Sequence, residues 1–225
     1  MLGARDSSVR TGEQTEIARF WSYFSYTSTP PGVWNEIAGT LAESHGLDGK
    51  ETVELFCLLN LALADAGIVA HETKFHYNFW RPVHAIHRAE EDGNPATVKD
   101  PNWQPLLEAP PHPEYVSGHS TFSGAGAQVL TLYFESEDLP FSLSSESFTD
   151  HPRQFDSPWA AAQEAGRSRI FGGIHYGFSN RAGLEAGRKV ADYVFEHHEW
   201  CGEGPAVPAV EPELKPELVK NHSDW

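Results

Sequence analysis

The stretch 51–80 constrains the fold more than any other part of this sequence. Leu55, Leu58, Leu59, Leu61 and Leu63 leave little polar face until Asp65. A helix that is apolar nearly all round belongs inside a fold, so the rest of the chain has to wrap it. The neighbours also read as helical. Residues 13–24 carry Ile17, Phe20, Trp21 and Phe24 at helical spacing. Thr29-Pro30-Pro31 opens a second helix, with proline tolerated in the first turn, and Val33, Trp34, Ile37 and Leu41 line one face of it. Pro82 ends or kinks the central helix and starts a short one over 82–88. Further helices are expected over 117–134, 159–170 and 181–197, the last capped by Ser179 or Asn180. Residues 1–12 read as a frayed polar end and 135–158 as irregular. With no alternating strand pattern of useful length and no internal repeat, the expectation is all-α. It is a single helical-bundle domain over 1–201, followed by a Pro- and Glu-rich tail over 202–225 that is flexible or packed on a partner.

A formal charge of −16, from 32 acidic and 16 basic residues, argues against nucleic acid or an anionic membrane as partner. It also means that any internal anion site needs its own local cations. No secretory leader opens the chain and no uninterrupted apolar run reaches membrane-spanning length, so a soluble protein is expected. Of two cysteines, Cys57 sits in the apolar helix and reads as a plain buried thiol. With no CxxC, neither a disulfide framework nor a cysteine metal site is expected.

Three separated segments carry groups suited to an oxyanion. Lys74 and Arg81 lie about two helical turns apart, among Phe75, Tyr77, Phe79 and Trp80. Ser117-Gly118-His119 reads as a capped helix entry, with a hydroxyl, free amides and an imidazole where the helix dipole is positive. Arg169 and His175 flank Gly172-Gly173. Two guanidinium forks and an ammonium can neutralise a tetrahedral oxyanion, while two imidazoles supply a ligand or nucleophile and an acid–base group.

Lys74-x6-Arg81-Pro82, Ser117-Gly118-His119 and Ser168-Arg169-x5-His175, in that order, resemble the three-part signature of the vanadium-dependent haloperoxidase and type 2 phosphatidic acid phosphatase superfamily. The resemblance implies a helical bundle of that type and vanadate as cofactor. It implies that His175 binds the metal, or is the phosphorylated nucleophile of a phosphatase, and that His119 is the acid–base group. Lys74, Arg81, Ser117, Gly118 and Arg169 would hold the equatorial oxygens, Lys74 also polarising hydrogen peroxide. The implied reaction oxidises halide to hypohalous acid. At the position of His112 the family carries His in bromoperoxidase-like members and Phe in chloroperoxidase-like ones, which implies bromide or iodide over chloride. The sequence departs from the family at Val116, where Pro is usual, and at Ser179, where an Asp often orients the last histidine. It is also short for the family, whose soluble members commonly carry a second bundle. Either it is a compact member completed by a homodimer, or it is the C-terminal part of a longer protein.

Other readings compete. A soluble acid phosphatase working through a phosphohistidine would use the same pocket on a phosphate ester, and the motifs do not separate the two. The aromatic neighbours of Lys74 favour a small substrate such as peroxide. An inactive or incomplete domain with a structural or binding role is a second alternative, motivated by Ser179 and the short length. Gly118-His119-Ser120-Thr121-Phe122 lacks the last glycine of a serine-hydrolase elbow. His84-x2-His87 is a weak zinc pattern without nearby cysteine or carboxylate partners.

Overall fold

A computed structural model describes residues 1–23, 27–146 and 148–197, the side chains of 148–150 excepted. The tail expected over 202–225 and the second cysteine, Cys201, lie outside the described residues.

The helices are α1 (Gly12–Phe20), α2 (Thr29–Ser44), α3 (Gly49–Tyr77), α4 (Pro82–His87), α5 (Gly118–Tyr133), α6 (Pro158–Phe171) and α7 (Gly177–Glu196). Their ends follow local chemistry. Thr11 with Gln14 caps α1, and Asp48 with Glu51 caps α3, each as a reciprocal box that satisfies two orphan amides. α3 stops at Tyr77, short of Trp80, where Asn78 turns left-handed at φ 45°. The last helix starts earlier than expected, with Tyr176 as its N-cap, so Ser179 and Asn180 are buried inside its first turn rather than capping it.

The main core gathers Phe20, Trp34, Ile37, Leu41, Leu55, Leu58, Leu59, Leu63 and Leu130. Each fully buried leucine contributes about 1.5–3 kcal/mol relative to exposure. By length and composition alone, Gly49–His87 could cross a membrane. Here Leu55, Leu58, Leu59 and Leu63 pack into the core while Val53, Leu61 and Ile68 are exposed. Glycines set how closely the helices approach. A Cβ on Gly126 would meet the Trp34 ring at 2.4 Å. One on Gly187 would meet the Thr121 carbonyl oxygen at 2.0 Å, and one on Gly124 the Leu184 carbonyl oxygen at 2.3 Å. α5 and α7 therefore touch backbone to backbone, which holds the Ser117 turn beside the start of α7.

Three expectations fail. Residues 135–158 hold an antiparallel hairpin, β1 (Phe141–Ser145) and β2 (Phe148–Phe155), with Phe141, Leu143 and Ser145 turned inward. The first twelve residues are not frayed: Ala4 is buried and bridges Pro105. The Arg10 guanidinium there donates to the carbonyls of Leu2 (2.9 Å), Ala4 (2.5 Å) and Arg5 (3.2 Å). Cys57 is disulfide-bonded, and among the described residues no cysteine is free.

Candidate functional site

Lys74, Arg81 and Arg169 are the buried cations of the site, 0%, 2% and 0% exposed. Lys74 does not snorkel to solvent. Its ammonium donates to the carbonyls of Pro113 (3.2 Å), Glu114 (2.9 Å) and Val116, which commits all three of its hydrogens. The Tyr115–Val116 peptide in this turn is cis. The helix bearing Lys74 does not continue to Arg81. Arg81 is instead the N-cap of α4, and its guanidinium turns back into the site. Nε donates to the His112 carbonyl (3.1 Å), Nη1 to the Ile174 carbonyl (2.8 Å) and to His175 Nε2 (3.0 Å), and Nη2 to His112 Nδ1 (3.0 Å). Arg169, in the last turn of α6, donates to Ser168 Oγ (3.0 Å), to the Ala18 carbonyl of α1 (3.2 Å), and weakly to His119 Nε2 (3.4 Å).

Five of these side chains, Lys74, His112, His119, Arg169 and His175, border one pocket of about 330 Å³ together with Gly118, and Tyr23 and Phe122 close it. Arg81 does not line that pocket; it borders an adjoining cleft, on whose wall His112 also lies. The aromatics flanking Lys74 in sequence are not its lining. Phe75 and Tyr77 are 67% and 61% exposed, and Phe79 and Trp80 line the adjoining cleft. Ser117 caps α5, accepting from the Ser120 amide (3.4 Å), and its hydroxyl also bonds Ser120 Oγ (2.8 Å), so it faces the α5–α7 seam. Gly118 is different. A Cβ built there would meet nothing within 4 Å, so the backbone at the helix entry opens onto space.

Electrostatics are those of an anion site. Burial, then Arg81, brings Lys74 down to about 7, with Glu114 opposing. Burial lowers Arg81 to about 10, and burial with Arg81 lowers Arg169 to about 9. Burial and the nearby cations hold His175 well below its ordinary range. Burial and Arg169 do the same to His119, partly offset by the carbonyls of Trp21 and Ser22. His112 falls to about 4 through burial, with Lys74 and Arg81 adding to it. Against three buried cations stands one buried carboxyl, Glu114. Among the described residues the other buried carboxylate is Glu164, engaged elsewhere with Arg153 (2.7 Å) and the Trp21 indole (3.0 Å). Cations left in excess away from water call for an anion.

Glu114 was not anticipated from the sequence. Its Oε1 accepts from His175 Nδ1 (2.7 Å) and from the Tyr176 amide (3.0 Å). It offers the last histidine the carboxylate oxygen that the Asp often found at the position of Ser179 would provide. The only sequence signal was a carboxylate set between Pro113 and Tyr115, a few residues before Ser117. Burial raises the Glu114 pKa, while the Tyr176 amide, the Ser179 hydroxyl, Arg81 and Lys74 lower it. With His175 depressed, the contact is a hydrogen bond from a neutral ring rather than an ion pair. No group of three His, Cys, Asp or Glu able to hold a metal ion occurs among the described residues. His87 of the weak zinc pattern donates to the Trp103 carbonyl (2.8 Å).

The donor set fits a vanadate-sized oxyanion: an excess of buried cations, an open backbone cradle at Gly118, and an unprotonated imidazole nitrogen whose lone pair is held only by a hydrogen bond from Arg81. Comparison with known proteins agrees. Residues 54–204 match the VCPO second helical-bundle domain. A vanadium chloroperoxidase of Curvularia inaequalis is 28% identical over 236 residues, taking in 80% of this chain and 38% of its own length. The structure of a bacterial vanadium-dependent iodoperoxidase superposes with a TM-score of 0.73 at 35% identity, covering 82% of this chain and 44% of that one. A holo bacterial vanadium-dependent chloroperoxidase gives 0.67 at 17% identity, covering 88% and 46%, a likeness of fold alone. The chain thus spans less than half the length of these relatives. By the extent of the family match and the bundle it describes, the chain belongs to the vanadium haloperoxidase superfamily.

Proposed function

We propose that this chain is a vanadate-dependent haloperoxidase domain that uses hydrogen peroxide to oxidise bromide or iodide to hypohalous acid. The observation that carries the reading is the convergence of Lys74 and Arg169 on a pocket faced by His119 and His175, with Arg81 buried behind it and bonded to His175, and Glu114 the buried carboxyl beside them. His175 Nε2 would ligate vanadate, and Lys74, Arg81, Arg169 and the Gly118 amide would hold its oxygens, with Ser117 keeping that amide aimed by capping α5. Bound there, vanadate supplies a Lewis acid that activates peroxide without changing oxidation state. His119, unprotonated near neutrality, is suited to take a proton from incoming peroxide. Lys74 holds its three hydrogens on backbone carbonyls, the longest bond being to Pro113. Releasing that one aims an N–H at a developing negative charge. His112 lies on the wall shared by pocket and cleft, and the resemblance to bromoperoxidase-like members at that position is what supports bromide or iodide over chloride. The domain is read as one bundle to residue 201, α3 as a core helix of a soluble protein, and the assembly as a homodimer, for which a monomeric mass in light scattering would be the contrary result.

The test is oxidation of bromide and iodide by hydrogen peroxide, with anion-free protein, with and without orthovanadate. Vanadate-dependent turnover suppressed by phosphate is expected. His175→Ala should abolish both this turnover and the rise in melting temperature that orthovanadate gives a protein that binds it. Aryl phosphate hydrolysis inhibited by vanadate, without halide oxidation, would make the domain a phosphatase on the same residues. Silence in both assays would leave an inactive domain.

A further inference from the structure

Two hydrogen bonds of opposite sense act on the His175 ring. A guanidinium can only donate, so Arg81 Nη1 at 3.0 Å requires a lone pair on Nε2. Glu114 Oε1 at 2.7 Å takes the hydrogen that must then sit on Nδ1. A single neutral tautomer satisfies both contacts, and it is the one that leaves Nε2 unprotonated, its lone pair accepting from Arg81 and open to another partner once that bond is given up. We propose that Glu114 is the positioning residue of the site, locking the His175 ring and tautomer so that Nε2 faces the oxyanion; this rests on the oxyanion reading of the pocket.

The carboxyl is itself held. Glu114 is fully buried. Its amide donates to the Phe79 carbonyl (3.0 Å), its own carbonyl accepts from Lys74 (2.9 Å), and its Oε1 also takes the Tyr176 amide (3.0 Å). It therefore ties the Lys74 ammonium, the His175 ring and the entry of α7 into one unit. Oε2 and the Ser179 hydroxyl are both buried, and neither makes a hydrogen bond of good geometry, although the hydroxyl lies near enough to hold the carboxyl down. Position 179 is thus where a second carboxylate could be introduced beside the same ring.

The experiment reads the ring directly. Nitrogen-15 imidazole spectra of the anion-free protein should show His175 protonated at Nδ1 in wild type and in Glu114→Gln, which keeps an acceptor oxygen. Glu114→Ala, or Glu114→Met if the smaller side chain does not fold, should mix the tautomers and weaken orthovanadate binding by tenfold or more, the usual cost of losing an outer-shell partner. Adding Ser179→Asp to Glu114→Ala should restore both. A folded Ala or Met variant with an unchanged tautomer and unchanged orthovanadate affinity would overturn the role of Glu114. Wild-type protein that binds neither orthovanadate nor phosphate would overturn the oxyanion reading instead, and with it the purpose assigned to Glu114.

Discussion

Arg81 Nη1 stands 3.0 Å from His175 Nε2 and donates to it, so a cation proposed to bind the anion and the candidate ligand share one hydrogen bond. Neither is oriented independently. The other guanidinium nitrogens are fixed by the ring and carbonyl of His112.

Arg81→Ala and Arg169→Ala should each weaken orthovanadate and inorganic phosphate together, by about 2–4 kcal/mol, the range for losing one preorganised donor. Arg81→Lys should not restore binding, because a point ammonium cannot address His112 and His175 at once. Titration of both anions on the three variants checks this. A loss below tenfold would mean that the guanidinium serves packing rather than the anion.

Gly118→Ala separates site from fold. The new methyl meets no protein atom within 4 Å, and the first turn of a helix accepts alanine. The melting temperature of the anion-free protein should hold or rise, while orthovanadate binding falls at least tenfold as the methyl fills the cradle. Retained binding would place the anion elsewhere.

The stability of the anion-free protein should rise with pH between 7 and 9. Lys74 titrates near 7 in the fold against 10.5 as its ordinary value. In that window the unfolded chain holds the extra proton, so raising the pH favours the folded state. The penalty is fully present below 7. Arg169 and Arg81 act in the same direction only from about 9 and 10 upward, and Tyr23 and Tyr176, raised to about 12, oppose the gain above 10. Melting curves of wild type and Lys74→Met should diverge in slope, the variant flatter. Saturating phosphate should flatten wild type too, because a bound anion restores the ammonium. Parallel curves would show that Lys74 keeps its charge.

The central helix and two of the three candidate oxyanion segments were legible because each is local: a run of leucines, a cap followed by glycine and histidine, and an arginine and histidine around two glycines. Glu114 was not. Its role depends on a contact with α7 across the fold, and in a proline-rich loop a glutamate reads as solvated. The hairpin hid for a related reason. Its inward alternation covers only Phe141, Leu143 and Ser145, and Ser145 goes inside because its hydroxyl donates to the Phe20 carbonyl (2.5 Å). The N-terminal segment looked frayed because Arg10 binds backbone carbonyls, a pattern that leaves no trace in residue spacing. The full burial of Lys74 was not legible either, because the carbonyls that take its hydrogens lie dozens of residues away in sequence.

The seam between α5 and α7 limits how this scaffold can be altered. Alanine ordinarily improves a helix over glycine by about 1 kcal/mol, which makes such exchanges a routine route to thermostability. At Gly124 and Gly187 that route is closed, because the added methyl would strike main-chain oxygen at 2.3 and 2.0 Å. A variant that forced the two helices apart would shift the Ser117 turn against His175 and change the pocket without touching a single residue that lines it. Thermal hardening of this bundle has to come from the outer faces of the helices, and random libraries should show the seam glycines as intolerant as the cations.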